Sequence, residues 1–224
     1  MPLAFLRTSP GFAAAYSWLQ GTRVHVAGRG HRVRRHNAVL RNTRIEILGT
    51  GCRLVIGPGA RLWDCSLTLA GDGAELFIGA DCQLRQARLC VEDQGSRLVI
   101  GAQTSIIGAT LVSQEGRLLQ LGEDCMLAQY ADLRNSDSHA IYDRHGVRIN
   151  PARDVVLGDH VWLGLGCSIT NGARIGNGTV IGAVALVTGE IPPDCVAFGV
   201  PAVPRRTGIR WERSRTPVTP PSSA

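Results

Sequence analysis

Aliphatic residues recur at every sixth position near the C-terminal end of the chain: Leu157, Leu163, Ile169, Ile175, Ile181 and Val187. Glycine follows four of them, at Gly158, Gly164, Gly176 and Gly182. An amphipathic helix needs apolar spacings of three and four, which this ladder lacks. A period of six suits a short strand plus a corner, and three such units close a triangular coil of about 18 residues. In such a coil the aliphatic side chains point inward and successive coils stack at strand spacing, about 4.8 Å. The glycine after each aliphatic is expected to serve the tight corner by tolerating φ > 0.

The same unit recurs upstream in a looser form. Aliphatic-glycine pairs stand at Ile56-Gly57, Ile78-Gly79, Ile100-Gly101 and Leu121-Gly122, with spacings of 22, 22 and 21. Alternating stretches from Arg44 to Leu48 and from Arg97 to Ile100 fit its strands. The spacing then jumps to 36 between Leu121 and Leu157. Residues 134–154 carry no ladder, so a loop projecting from the coil stack is expected there. Loops this long are usually functional. The pattern predicts an all-β fold, a left-handed parallel β-helix of hexapeptide repeats over residues 23–206. Residues 1–22 read as a short N-terminal cap, because a solenoid needs its terminal core covered. Residues 207–224, rich in Pro, Ser and Thr, read as a disordered tail.

Composition agrees with many short strands. Glycine is 27 of 224 residues and aromatics are only 5%. All 24 basic residues are arginine and the net charge is +6. Arg23, Arg29, Arg32, Arg34 and Arg35, with His25 and His31, concentrate the charge. A solvated surface is the plain reading of Arg23–Arg35, and an anionic membrane or acidic glycan contact is the sharper one. Nucleic acid is disfavoured, because aromatics are not interleaved with the basic residues. The seven cysteines include no CxxC pair. Cys82, Cys125 and Cys167 each fall four residues after a ladder position, a slot for a small buried side chain, which points to a reducing, cytoplasmic setting. No apolar run approaches the length of a membrane span, and the N-terminal segment does not read as a signal peptide.

Four segments in order carry a family resemblance: Ser136 to Asp143, Val156 to Gly164 with its Gly-Asp-His-Val-Trp core, Ile175 to Ala183, and Gly199-Val-Pro-Ala202. Together they resemble the hexapeptide-repeat acyltransferases, and within them the sugar and polysaccharide O-acetyltransferases. The resemblance covers about residues 41–206. It implies a homotrimer with active sites in the clefts between neighbouring β-helices, acetyl-CoA along each cleft, and a histidine base on a projecting loop. His139 matches that histidine. The resemblance further places the backbone N–H of Leu165, beside Gly164, on the thioester oxygen. It lays Ala183, Thr188 and Gly189 along the pantetheine arm and puts Arg206 on phosphate. Gly189 stands where a lysine is frequent and Val203 where an arginine is frequent, so Arg205 is added as a compensating cation.

The chemistry of the residues agrees. Acetyl transfer to a hydroxyl needs a base near neutrality, which histidine supplies, and a fixed donor for the developing oxyanion. It needs no metal and no covalent enzyme intermediate. Asp137 and Asp143 flank His139 as candidate orienters, although either could cap a turn. Trp162 and Tyr142 are candidate acceptor contacts, with a wedge between subunits as the other reading of Trp162. His145 is a weaker candidate, and His160, placed within the ladder strand, reads as structural. Three alternatives stand beside sugar O-acetylation. The first is N-acetylation of an amino sugar by the same base. The second is a non-catalytic scaffold. The third is a zinc site built from His139, His145 and His160, resembling γ-class carbonic anhydrases.

Overall fold

The computed structural model describes residues 10–214, apart from the side chains of Pro10 and Phe12. Its strands stack into three parallel sheets, two of eight strands and one of nine, the three faces of a triangular prism. The first face runs from Arg23–Val26 through Asp132–Arg134 and Ser168–Ile169 to Leu186–Val187. The second runs from Arg32–Arg34 to Glu190–Ile191, and the third from Val39–Arg41 through Trp162–Leu163 and Val180–Ile181 to Cys195–Gly199. Strand Ala202–Thr207 then folds back antiparallel on Cys195–Gly199. This is the expected parallel β-helix. Each strand contacts its equivalent in the next coil, so stability is built one neighbour at a time.

The six-residue ladder is the core. Leu157, Leu163, Ile169, Ile175, Ile181 and Val187 are 0–3% exposed, one on each face in turn. The upstream coils are wider because their strands are four residues long and bury two side chains each, as in Arg53–Ile56 and Arg97–Ile100. Leu54, Leu76, Leu98 and Leu119 stack in register on the second face. All seven cysteines are free and buried. Burial pushes the thiols of Cys65, Cys82 and Cys125 up to about 11 and that of Cys167 to about 12, so none of these four is a ready thiolate at neutral pH.

The glycines after the ladder residues do a different job from the expected one. Neither Gly57 nor Gly164 has positive φ. A Cβ on Gly57 would sit 2.6 Å from the Ala80 nitrogen, and one on Gly164 would sit 2.7 Å from the Ala183 nitrogen. They are glycines because the next coil passes directly across them. The left-handed corner positions lie elsewhere and are shared between other glycines, such as Gly59 and Gly166, and residues such as Asp64, Asp81, Gln86 and Asp124.

Helix α1 (Pro10–Leu19) packs on the first strand of the third face. Ser17 is buried there and its hydroxyl accepts the Leu40 N–H at 3.0 Å. Residues 1–9 of the expected cap lie outside the described residues. The tail boundary moves. Residues 207–213 do not hang free: Trp211 is 8% exposed, and Arg213 donates to Asp124 Oδ1 at 2.7 Å, to Ser105 Oγ at 2.7 Å and to the Cys125 carbonyl at 2.8 Å. Composition misled here because Trp and Arg anchors sit just before the Pro/Ser-rich end. Residues 215–224 lie outside the described residues. Among the described residues no helix is long and apolar enough to cross a membrane.

Candidate functional site

The 36-residue spacing is one coil plus an insertion. Leu119 pairs with Val155 and Gln120 with Val156, so the chain leaves the prism after Arg134 and rejoins it at Val155. The loop therefore projects from the corner between the first and second faces. Its foot is tied down by buried polar groups. Asn135 is fully buried, its Oδ1 accepting the Gln114 N–H at 2.8 Å and its Nδ2 reaching Ser113 Oγ at 3.3 Å. Arg148 forks onto Glu115 through bonds of 2.7 and 2.8 Å, and Ser136 donates to the same carboxylate at 2.5 Å. Arg148 first, then Ser136, holds the Glu115 carboxyl at about 2, well below its ordinary range.

His139 is exposed on this loop, directly after Ser138, whose φ is +62°. Its ring makes no hydrogen bond to the described residues, but its backbone is fixed. Asn150 Nδ2 donates to the His139 carbonyl and to Asp137 Oδ2, both at 2.9 Å, while Asn150 Oδ1 accepts the Ile141 N–H at 2.7 Å. The two candidate orienters divide. Asp143 Oδ1 accepts the N–H groups of His145 and Val147 at 2.8 and 2.9 Å, so this carboxylate closes the hairpin turn at the loop tip. Asp137 lies beside His139 with one oxygen on Asn150. Tyr142 is bridged to Arg148 across the hairpin and is 62% exposed, in company with Ile141, Val147 and Ile149.

Leu165 and Ala183 occupy the corner between the third and first faces, one coil apart. The Val184 N–H donates to the Leu165 carbonyl at 2.8 Å. The N–H groups of Leu165 and Ala183 donate to nothing among the described residues, and both residues are exposed. Gly164 sits under Leu165. Thr188 and Gly189 lie at the other corner, below the loop. Arg205 and Arg206 are exposed on the terminal strand of the third face, Arg205 stacking over the Phe198 ring at 5.6 Å. Within one chain, then, His139 and Leu165 stand at different corners of the prism.

Trp162 points outward on the third face and meets its own chain: its ring lies 5.7 Å from Trp211. His160 is at a corner, φ +54°, rather than within a strand. It stacks flat on Trp211 at 3.9 Å, while its Nδ1 meets Asp124 Oδ2 at 2.7 Å. Burial pushes the Asp124 carboxyl up, but the bonds from Arg213 and His160 outweigh it and leave it lowered. His160 thus anchors the C-terminal segment. Among the described residues no group of His, Cys, Asp or Glu side chains is arranged to hold a metal.

Sequence reading missed Asn150, Arg148, Glu115 and Asn135. Polar residues in an irregular loop carry no periodic signal, and Glu115 lies 33 positions from its partner.

No family model matches the chain. The polysialic acid O-acetyltransferase of Escherichia coli O1:K1 / APEC is 37% identical over 95 residues, which is 42% of this chain and 31% of that protein. The polysialic acid O-acetyltransferase of Neisseria meningitidis is 42% identical over 66 residues, 29% of this chain and 30% of that protein. The chain thus spans under a third of the length of these curated relatives. In structure the likeness is broader. The crystal structure of the polysialic acid O-acetyltransferase OatWY superposes with a TM-score of 0.85 at 28% identity, covering 88% of this chain and 94% of that one.

Proposed function

We propose that this chain, which belongs with the hexapeptide-repeat acetyltransferases in sequence and fold, transfers an acetyl group from acetyl-CoA to a hydroxyl of an acidic polysaccharide. The observation that carries this reading is the likeness to a polysialic acid O-acetyltransferase over nearly the whole length of both chains. The site chemistry supports it. His139 is exposed, rigidly presented through its backbone, and suited to take the hydroxyl proton. The Leu165 N–H is suited to donate to the oxygen on which negative charge grows. Acetyl-CoA would supply an activated acetyl thioester, held by Ala183 through its backbone and by Arg205 and Arg206 at the phosphates. Asp137, rather than Asp143, is the carboxylate left to orient His139.

The separation of His139 from Leu165 within one chain argues for a homotrimer, in which the loop of one subunit meets the Leu165 corner of the next. The exposed Ile141, Tyr142, Val147 and Ile149 at the loop tip would be covered in that cleft. Free thiols and use of acetyl-CoA fit a cytoplasmic enzyme. The test is mass spectrometry of polysialic acid and neutral glycans incubated with acetyl-CoA and protein. The expected result is a gain of acetyl groups that mild base removes. His139→Ala should lose about 10²- to 10⁴-fold in rate with its oligomeric state unchanged. Near-normal transfer by that variant would sink the assignment of the base.

A further inference from the structure

At the corner that carries Leu165 and Ala183, each coil hands a backbone bond to the next. Asp64 N–H donates to the Arg41 carbonyl, Gln86 to Trp63, Gly108 to Arg85, Gly166 to Gln129 and Val184 to Leu165, all at 2.8–2.9 Å. These bonds, with the pairing of Arg85 and Ile107, align Arg41, Trp63, Arg85, Ile107, Gln129, Leu165 and Ala183 in one column along the prism edge. The half toward the C-terminus presents the free N–H groups. The half toward the N-terminus is arginine, tryptophan, arginine.

That half is built for an anion with a flat face beside it. The Arg85 guanidinium lies 4.3 Å over the Trp63 ring. Arg88 is exposed three residues further on, at the start of the first face. Among the described residues none of Arg41, Arg85 and Arg88 enters an ion pair. Other arginines nearby are neutralised: Arg44 by Glu46 at 2.7 Å and Arg134 by Asp132 at 2.6 Å. The acidic residue within the arginine stretch of the column, Asp64, is held by Asn42 Nδ2 at 2.8 Å. Arg41 and Arg85 thus stand in line with the Leu165 corner, and Arg88 flanks them on the first face, bonded to the Cys90 side chain and beside Glu92.

We propose that Arg41, Trp63, Arg85 and Arg88 form a binding track for a linear acidic glycan, which feeds the hydroxyl of one sugar to the Leu165 corner. The inference rests on the proposed acetyl transfer. The donor would run from Leu165 toward Arg205 and Arg206, leaving the N-terminal side of the corner for the acceptor. Guanidiniums pair with sugar carboxylates, and the indole takes an apolar sugar face. Arg85 is three coils from Leu165, about 14 Å at strand spacing, and Arg41 five coils, about 24 Å. A monosaccharide at the site reaches neither, whereas an oligomer reaches both.

The experiment compares wild type, Arg85→Ala/Arg88→Ala, Arg85→Lys/Arg88→Lys and His139→Ala. Acetylation is measured on polysialic acid and on monomeric sialic acid, and calorimetric titration measures polymer binding. For the alanine pair we expect polymer KM and Kd at least 10-fold higher, with kcat and monomer turnover unchanged. The lysine pair should recover part of the loss, His139→Ala should bind polymer like wild type, and wild-type binding should weaken steeply with salt. Unchanged polymer KM and Kd in the alanine pair would overturn the track and leave the acetyltransferase reading standing. Arg85-dependent binding of polymer by a wild type that acetylates neither acceptor would uphold the track and overturn that reading. No polymer binding by wild type would overturn the track.

Discussion

At the scale of single residues, the proposed base and the groups that hold its loop differ in how far the sequence announces them. His139 was proposed from the sequence because it stands in a stretch that breaks the ladder and resembles a known motif. Asn150 was not, since its role comes from three bonds that only the folded loop brings together: to Asp137, to the His139 carbonyl and to the Ile141 N–H. Asn150→Ala should therefore lower kcat about 10²-fold, as a displacement of order 1 Å does, while leaving KM for acetyl-CoA near wild type; steady-state kinetics checks this. Glu115 sets a pH dependence. Its carboxyl is depressed from 4.5 to about 2 in the folded protein by Arg148 and Ser136. A depressed carboxyl contributes stability above its unfolded value that is lost as pH falls through the folded one. The loop foot should thus hold above about pH 4.5 and loosen progressively toward pH 2. Limited proteolysis by an acid-active protease should show cleavage within residues 137–149 rising over that window, and Glu115→Gln should show it already at neutral pH.

At the scale of elements, the strands and their faces were legible because a period of six is written directly in Leu157 to Val187. The reason for the glycines was not. Corner conformation and close stacking select the same residue, and only the position of the next coil tells them apart. Gly164→Ala is the discriminating change. Conformation alone would tolerate alanine, because the φ there is not left-handed. With the next coil 2.7 Å from the added Cβ, overpacking should cost about 1–3 kcal/mol, read as a fall in Tm. The C-terminal element was misread for a similar reason. Trp211 and Arg213 are bound to coils more than 50 positions away in sequence, at His160 and Asp124, and no local pattern announces such contacts.

At the scale of the whole molecule, the two halves of the candidate site lie at different corners of one prism, which a sequence cannot show. A site shared between subunits makes a prediction that a site within one chain does not. His139→Ala and a corner variant such as Ala183→Trp should each be inactive alone. Co-expressed, they should form mixed trimers that regain activity at clefts pairing an intact loop with an intact corner, and an acetylation assay on the mixture reads this directly. The coil stack has an evolutionary consequence too. Because each coil touches only its neighbours, one 22-residue unit could be duplicated or lost among the N-terminal coils without disturbing His139, Leu165 or Ala183. Each such event lengthens or shortens the prism by one step of about 4.8 Å. If the arginine column holds the acceptor, the number of N-terminal repeats would act as a ruler for the length of chain it fits, while the chemistry at the other end is left untouched.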